Sequence, residues 1–302
     1  MQRSIFLCAM LVLALPTLAD ASGKSLDASM VATGTITVNP DGTVRGYTLD
    51  KQDKLPPYVV GLISQTVTAW TFKAVISGGK PVPAEADMSL RIVAHQTDDD
   101  HATVRIVGAN FGCDAAREEQ SAGCSANEWI RPLTRVKPGY PMNLAMADVG
   151  GIVYVVLEVG KDGNVTNAAV RQVNLRARMG PHDSDMARTE FSEVSLSAAR
   201  KWTFRVPTRG REATKDHWVV VIPVVFNAQR TDHVQYGEWM AYVPGPMRVI
   251  PWAQEHERVA SSDGGDAIPD GAVFQMDPRF VLLTRFGGNE SQPQAGAPAG
   301  QG

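Results

Sequence analysis

The chain has 302 residues, with 29 Lys+Arg against 32 Asp+Glu and a formal net charge of −3. That length permits two ordinary domains and a sizeable core, and a content of 44% hydrophobic and 20% charged residues argues against wholesale disorder. The near-neutral balance leaves no electrostatic footprint for nucleic acid.

At the N-terminus, Arg3 precedes an unbroken apolar run from Ile5 to Leu15, followed by Pro16 and the small-residue site Ala19-Asp20-Ala21. That order of charge, apolar stretch and small residues reads as a cleavable secretory signal over residues 1–21, cut after Ala21. The alternative is an uncleaved anchor, but a span needs about 20 apolar residues and this run is shorter. Cleavage removes Arg3 and Asp20 together, so the mature charge stays at −3.

Comparing the chain with itself reveals a repeat. The first copy, within residues 22–97, starts at Gly34-Thr35-Ile36-Thr37-Val38, turns at Asp41-Gly42 and resumes at Val44. An Asp-Gly pair between β-branched runs predicts a hairpin, because Gly accepts the positive φ of a tight turn. Pro56-Pro57 opens a helix whose one face carries Val59, Ile63, Val67 and Trp70. The tripeptide Trp70-Thr71-Phe72 follows, and a closing strand is expected from Ala86 to Ala94.

Residues 98–130 read as a connector, with a strand-like piece at Ala102-Thr103-Val104-Arg105-Ile106. The run from His95 to His101 encloses Asp98, Asp99 and Asp100; it has metal-ligand residue types, but a solvated turn is the simpler account. Cys113 and Cys124 lie in a polar stretch, and Cys8 belongs to the signal. In an exported protein, two thiols closing a short loop predict one disulfide that lowers the unfolded-state entropy by about 3 kcal/mol. A metal pair would want closer cysteines or an accompanying His.

The second copy lies within residues 131–228. It starts at Gly151-Ile152-Val153-Tyr154-Val155-Val156, turns at Asp162-Gly163 and resumes at Val165. Its helix face is Phe191, Val194, Ala198 and Trp202, leading into Trp202-Thr203-Phe204. Gly42 to Trp70 spans 28 residues and Gly163 to Trp202 spans 39; the extra eleven are placed in a polar loop around Arg176 to Arg188. Trp70 and Trp202 read as core anchors where helix meets sheet. Each copy is thus strand, turn, strand, helix, strand, giving an α+β fold of two small antiparallel sheets, each packed on a helix.

The closing strand of the second copy runs from His217 to Phe226. Trp218, Val220, Ile222 and Val224 share one face, and Val219, Val221 and Val225 the other. Two apolar faces imply burial, so any binding groups are backbone. Pro223 cannot donate to a ladder, which suggests an unpaired edge; the alternative is an edge already covered by the C-terminal extension. Residues 229–286 read as an irregular extension rich in aromatics and prolines (Tyr236, Trp239, Tyr242, Trp252). Residues 287–302, dominated by Gln, Pro, Ala and Gly, read as a disordered tail.

Pro138-Gly139-Tyr140-Pro141, Ala145, Gly150-Gly151, the Asp162-Gly163 turn, Ala198-Ala199-Arg200-Lys201-Trp202-Thr203-Phe204 and Pro207 together resemble the TonB C-terminal domain. Tyr140, Pro141, Gly151, Gly163, Trp202 and Phe204 match the family signature over residues 131–228, and residues 30–95 look like a degenerate second copy. The resemblance implies a periplasmic domain that serves outer-membrane receptors and captures an extended peptide on a sheet edge. Carried onto this chain, the partner-binding residues are His217, Trp218, Val220, Ile222, Val224 and Phe226. A full transducer of that family has a retained anchor and a long Pro-rich rod, whereas here a second folded unit stands in the rod's place.

Catalytic signatures do not accumulate. The sequence has no G-x-S-x-G, H-E-x-x-H, P-loop or G-x-G-x-x-G motif. His182-Asp183-Ser184-Asp185 has hydrolytic residue types without an oxyanion-hole signature. The sequence therefore points to a non-enzymatic periplasmic protein, without metal or cofactor, that binds an envelope protein or extended peptide through a sheet edge. The alternatives are an inner-membrane-anchored energy transducer and, behind it, an envelope hydrolase or metalloenzyme. Reduction, or Cys113→Ser, is expected to lower the melting temperature without abolishing the fold, because each copy has its own Trp-centred core. Complete unfolding on reduction, followed by circular dichroism, would show the connector to be integral to both.

Overall fold

A computed structural model describes residues 27–96, 102–115, 127–228, 235–253 and 266–284. The signal, Cys124, His101 and the tail lie outside them. The fold is mixed α/β, mostly antiparallel sheet with three α-helices among the described residues. In chain order the first half comprises β1 (Ala28–Val38), β2 (Val44–Leu49), α1 (Pro57–Val67), the small hairpin β3 (Ile76–Ser77) and β4 (Lys80–Pro81), β5 (Ala84–Gln96) and β6 (Ala102–Asp114). The second comprises β7 (Arg131–Thr134), α2 (Met142–Met146), β8 (Gly151–Gly160), β9 (Val165–Leu175), α3 (Pro181–Ala199), β10 (Thr203–Arg205) and β11 (His217–Phe226). The extension adds β12 (Met240–Ala241) and β13 (Phe274–Met276).

Both Asp-Gly turns form as the sequence predicts. Gly42 and Gly163 have φ of 89° and 78°, and Asp41 and Asp162 accept the backbone N–H of Thr43 and Asn164 at 2.9 and 3.0 Å. Each turn then meets the chain segment that follows its helix. Phe72 N–H donates to the Gly42 carbonyl, and Phe204 N–H to the Gly163 carbonyl, both at 2.8 Å. A Cβ on either glycine would overlap the facing phenylalanine carbonyl oxygen. The Asp-Gly and Trp-Thr-Phe signatures therefore travel together for a physical reason: one is the backbone partner of the other.

The expected two small sheets are joined into one. The strand order is β12-β1-β5-β6-β13-β11-β8-β9, with β2 also on β1, nine strands in all. The stretch read as a connector supplies β6, a full 13-residue strand on β5. The extension read as irregular supplies β13, which pairs with β6 at Gly112–Asp114 and with β11 at Val221. Cys113, expected in a polar stretch, is buried in β6 and disulfide-bonded; the expected partner, Cys124, lies outside the described residues. The extra eleven residues of the second copy are also not a loop. Most of them lengthen α3, which has 19 residues against 11 in α1, starting at Pro181 in the position where proline's missing N–H costs nothing.

Three large apolar clusters lie among the described residues. α1 covers one face of β1 and β5, with Val59, Ile63, Val67, Trp70 and Phe72 on Met30, Ile36, Met88 and Leu90. α3 covers one face of β8 and β11, with Phe191, Ala187 and Trp202 on Val153, Val155, Val220, Ile222 and Val224. The other face of β8 and β11 is covered by Ile250, Ile268, Ala272 and Phe274 of the extension.

Arg91 on β5 is fully buried and donates to Tyr154 on β8 at 2.6 Å, to the Asp266 carbonyl, and to Ser29 at 3.2 Å. Four strand spacings separate β5 from β8, about 19 Å in a flat sheet. A direct side-chain bond therefore requires the sheet to curl around Asp266. That carboxylate lies 3.8 Å from Arg91 Nε and accepts from Asn174 and Tyr242, each at 2.7 Å. Burial opposes the Arg91 charge, but the facing Tyr154, Asp266 and Tyr242 outweigh it and raise its pKa. Burial pushes both tyrosines far above the usual phenol range. Arg91 is thus held charged and the two tyrosines neutral through the physiological range.

Gly163→Ala is expected to lower stability by about 3 kcal/mol, since it combines positive-φ strain with the carbonyl overlap. Gly46→Ala, where a Cβ meets nothing within 4 Å, is expected to change it by less than about 0.5 kcal/mol. Paired thermal melts would check both.

Candidate functional site

β11 is positioned by β8, which pairs with it continuously from His217–Gly160 to Phe226–Gly151. On its other side, pairing among the described residues is confined to Val221 with Phe274. Upstream of β13 the chain leaves the line of the sheet through the turn Pro269-Asp270-Gly271-Ala272. It is closed by the Ala272 N–H on the Pro269 carbonyl at 3.2 Å and permitted by Gly271 at φ 80°. Among the described residues the C-terminal half of β11 therefore has no neighbour of the β13 kind, and a cleft of about 550 Å³ opens beside it.

Ile222 through Asn227 all line this cleft. Successive strand residues point to opposite faces, so a cleft bordered by six in a row borders the strand's edge. One wall is the extended segment Arg135–Pro138 with Tyr140; the other is Asp270-Gly271. Trp202 holds the first wall, its indole N–H donating to the Val136 carbonyl at 2.8 Å. Arg135 lies over the Trp202 ring, 5.9 Å from its centroid, and reaches across to the Gly271 carbonyl at 3.4 Å. It is a long exposed hydrogen bond and a weak closure. Asp270 is held by Arg176 at 3.2 Å, which leaves Arg135 and Lys137 to give the rim its positive character.

The residues carried over from the resemblance divide between two environments. Ile222, Val224 and Phe226 are at the cleft, with side chains buried toward α3. Trp218 and Val220 are buried in the other half of the strand; the Trp218 indole donates to the Glu212 carbonyl at 3.2 Å. His217 is exposed at the strand's start. What the cleft offers from β11 is backbone. Of the signature residues, Tyr140 and Trp202 line the cleft. Tyr140 donates to the Val149 carbonyl at 2.6 Å and packs edge-on against Phe191 and Phe226. Pro141 precedes α2, and Gly151 sits where a Cβ would press on Phe191 and on the Asn174 carbonyl. Arg135, Lys137, Asp270 and Gly271 were not singled out from the sequence, although Pro269-Asp270-Gly271 is a plain turn signal.

Of the other candidate clusters, Asp98, Asp99, Asp100 and His101 lie outside the described residues. His182 and Asp183 are exposed on the first turn of α3 rather than in a loop. His95 pairs with Asp27 at 2.6 Å. Among the described residues, no group of three or more His, Cys, Asp or Glu is placed to hold a metal ion, and no helix is long and apolar enough to cross a membrane. Compared with known proteins, the chain matches no family model and no curated protein sequence.

Trp202→Phe keeps a smaller aromatic ring in the core and removes the bond that holds the wall. It is expected to cost about 1 kcal/mol and to speed amide exchange selectively in residues 135–137, measured by hydrogen–deuterium exchange against wild type.

Proposed function

We propose that the chain is a non-enzymatic binding protein of the bacterial periplasm, resembling TonB C-terminal domains, that captures an extended segment of an envelope protein on the edge of β11. The observation carrying this reading is the cleft along Ile222–Asn227, where backbone donors and acceptors of an interior-quality strand border open space. An extended peptide entering there would complete the ladder, which supplies affinity from main-chain bonds and specificity from side-chain pockets. An outer-membrane receptor is the kind of partner the resemblance favours. The repeated Asp-Gly turn, the hydrogen bond its glycine carbonyl accepts from the Phe amide, and the matching strand pairing β2-β1-β5 and β9-β8-β11 support reading the fold as two units of that type.

The test is photo-crosslinking in cells from Asn227 and, separately, from Lys137, which face each other across the cleft and are exposed. Both probes are expected to capture the same short stretch of one envelope protein. Capture from neither position, with the variants folded and exported, would end this reading.

A further inference from the structure

The first half of the chain already contains a filled version of the cleft. Val38 and Val159 each stand four residues before a turn glycine, and they pair with Ala84 and Trp218 respectively. By that register β5 residues 87–92 correspond to β11 residues 221–226. Asp87, the counterpart of Val221, pairs with Gly112 of β6, as Val221 pairs with Phe274 of β13. Beyond this point the halves differ. β6 continues along β5, pairing Phe111 with Met88, Asn110 with Ser89, Ala109 with Leu90, Gly108 with Arg91 and Ile106 with Ile92. β13 has no continuation along β11, and the corresponding space is the cleft.

β6 shows what such a space accepts. Its strand is antiparallel, and Ile106, Ala109 and Phe111 enter the core under α1. Phe111 is the largest of these and meets the Trp70 ring edge-on at 5.8 Å. Trp202, the counterpart of Trp70, lines the cleft, and the group over its ring is the exposed Arg135. Arg135 is therefore a placeholder on an aromatic surface that, in the other half, an aromatic side chain covers.

We infer that the β11 cleft takes a strand antiparallel to β11, about six residues long, small in its middle, with an aromatic residue opposite Ile222 that packs on Trp202 and displaces Arg135. This rests on the edge-capture reading above and adds the polarity and chemistry of the occupant. The length follows from the lining, since six residues of β11 span about 20 Å. The aromatic preference follows from edge-to-face packing and from the area an aromatic side chain buries.

The probe is a synthetic peptide with the sequence of Val104–Phe111, added to the intact full-length protein, with backbone amides and the Trp202 indole N–H followed by NMR. Shifts are expected at residues 222–227 and at the Trp202 indole. A nitroxide on the peptide's N-terminus is expected to broaden Asn227, and one on its C-terminus to broaden Val220. Replacing the peptide's terminal Phe by Ala is expected to weaken binding about tenfold. A reversed broadening pattern, equal affinity for the Ala peptide, or no shift at about 5 mM peptide would overturn the inference. Crosslinking from Asn227 and Lys137 would still stand or fall separately, so the two readings fail in distinguishable ways.

Discussion

The fold depends on a backbone contact made twice, between the carbonyl of a turn glycine and the amide of a phenylalanine that follows a helix. Each contact fixes where a helix returns to its sheet. Without it, the hairpin and the helix would share only apolar surface, which is non-directional. With it, the tryptophan two residues before each phenylalanine is delivered to one place, buried at the helix–sheet junction. The glycine is needed on two counts, positive φ and close approach of the Phe carbonyl, and the aspartate before it caps the turn. In the second half, the same tryptophan also holds a wall of the cleft, so the site inherits its geometry from the clamp.

A second constraint joins the halves. Arg91 and Asp266 are both buried and lie among hydroxyl and amide partners from β1, β8, β9 and the extension. An ion pair of this kind contributes little net stability over an apolar isostere, but losing one partner leaves an uncompensated buried charge that costs about 3–5 kcal/mol. Its role is therefore to exclude arrangements of the halves that would separate the two charges. The curl it imposes turns the polar face of β1, β5 and β6 inward and leaves α1 and α3 to cover the outer faces.

Legibility from sequence followed the range of the interactions. The Asp-Gly hairpins, the helix opening at Pro57 and the alternation of β11 are local, and each was readable. Only the start of β6, residues 102–106, reads as strand-like: Gly108 and Gly112 interrupt the alternation beyond it, and the full 13-residue strand comes from pairing with β5. β13 is three residues long and exists only because β6 and β11 flank it, an arrangement with no local signal. The start of α3 was missed because residues 181–190 are mostly polar and exposed, which looks like a loop until Phe191 and Ala198 set the buried face. For the site, sequence singled out β11 and the idea of an edge. Which half of that edge is open depends on where Gly271 turns the chain away, a tertiary fact.

The asymmetry between the halves follows from chain connectivity. After β5 the chain reverses within a few residues and lays β6 directly against it, the least costly closure because the loop is short. After β11 the chain instead leaves as the extension, crosses both halves, pairs with β1 at Ala28 and Ser29, and returns only at Phe274. By then β13 must pair with β6 on its other side, and Asp277 is already committed to Arg211 at 2.9 Å and to Arg279. A strand held at both ends in this way does not slide to fill the rest of the β11 edge. The opening is thus enforced by the same strap that unites the sheet, and a half whose edge is covered in cis has none to offer in trans.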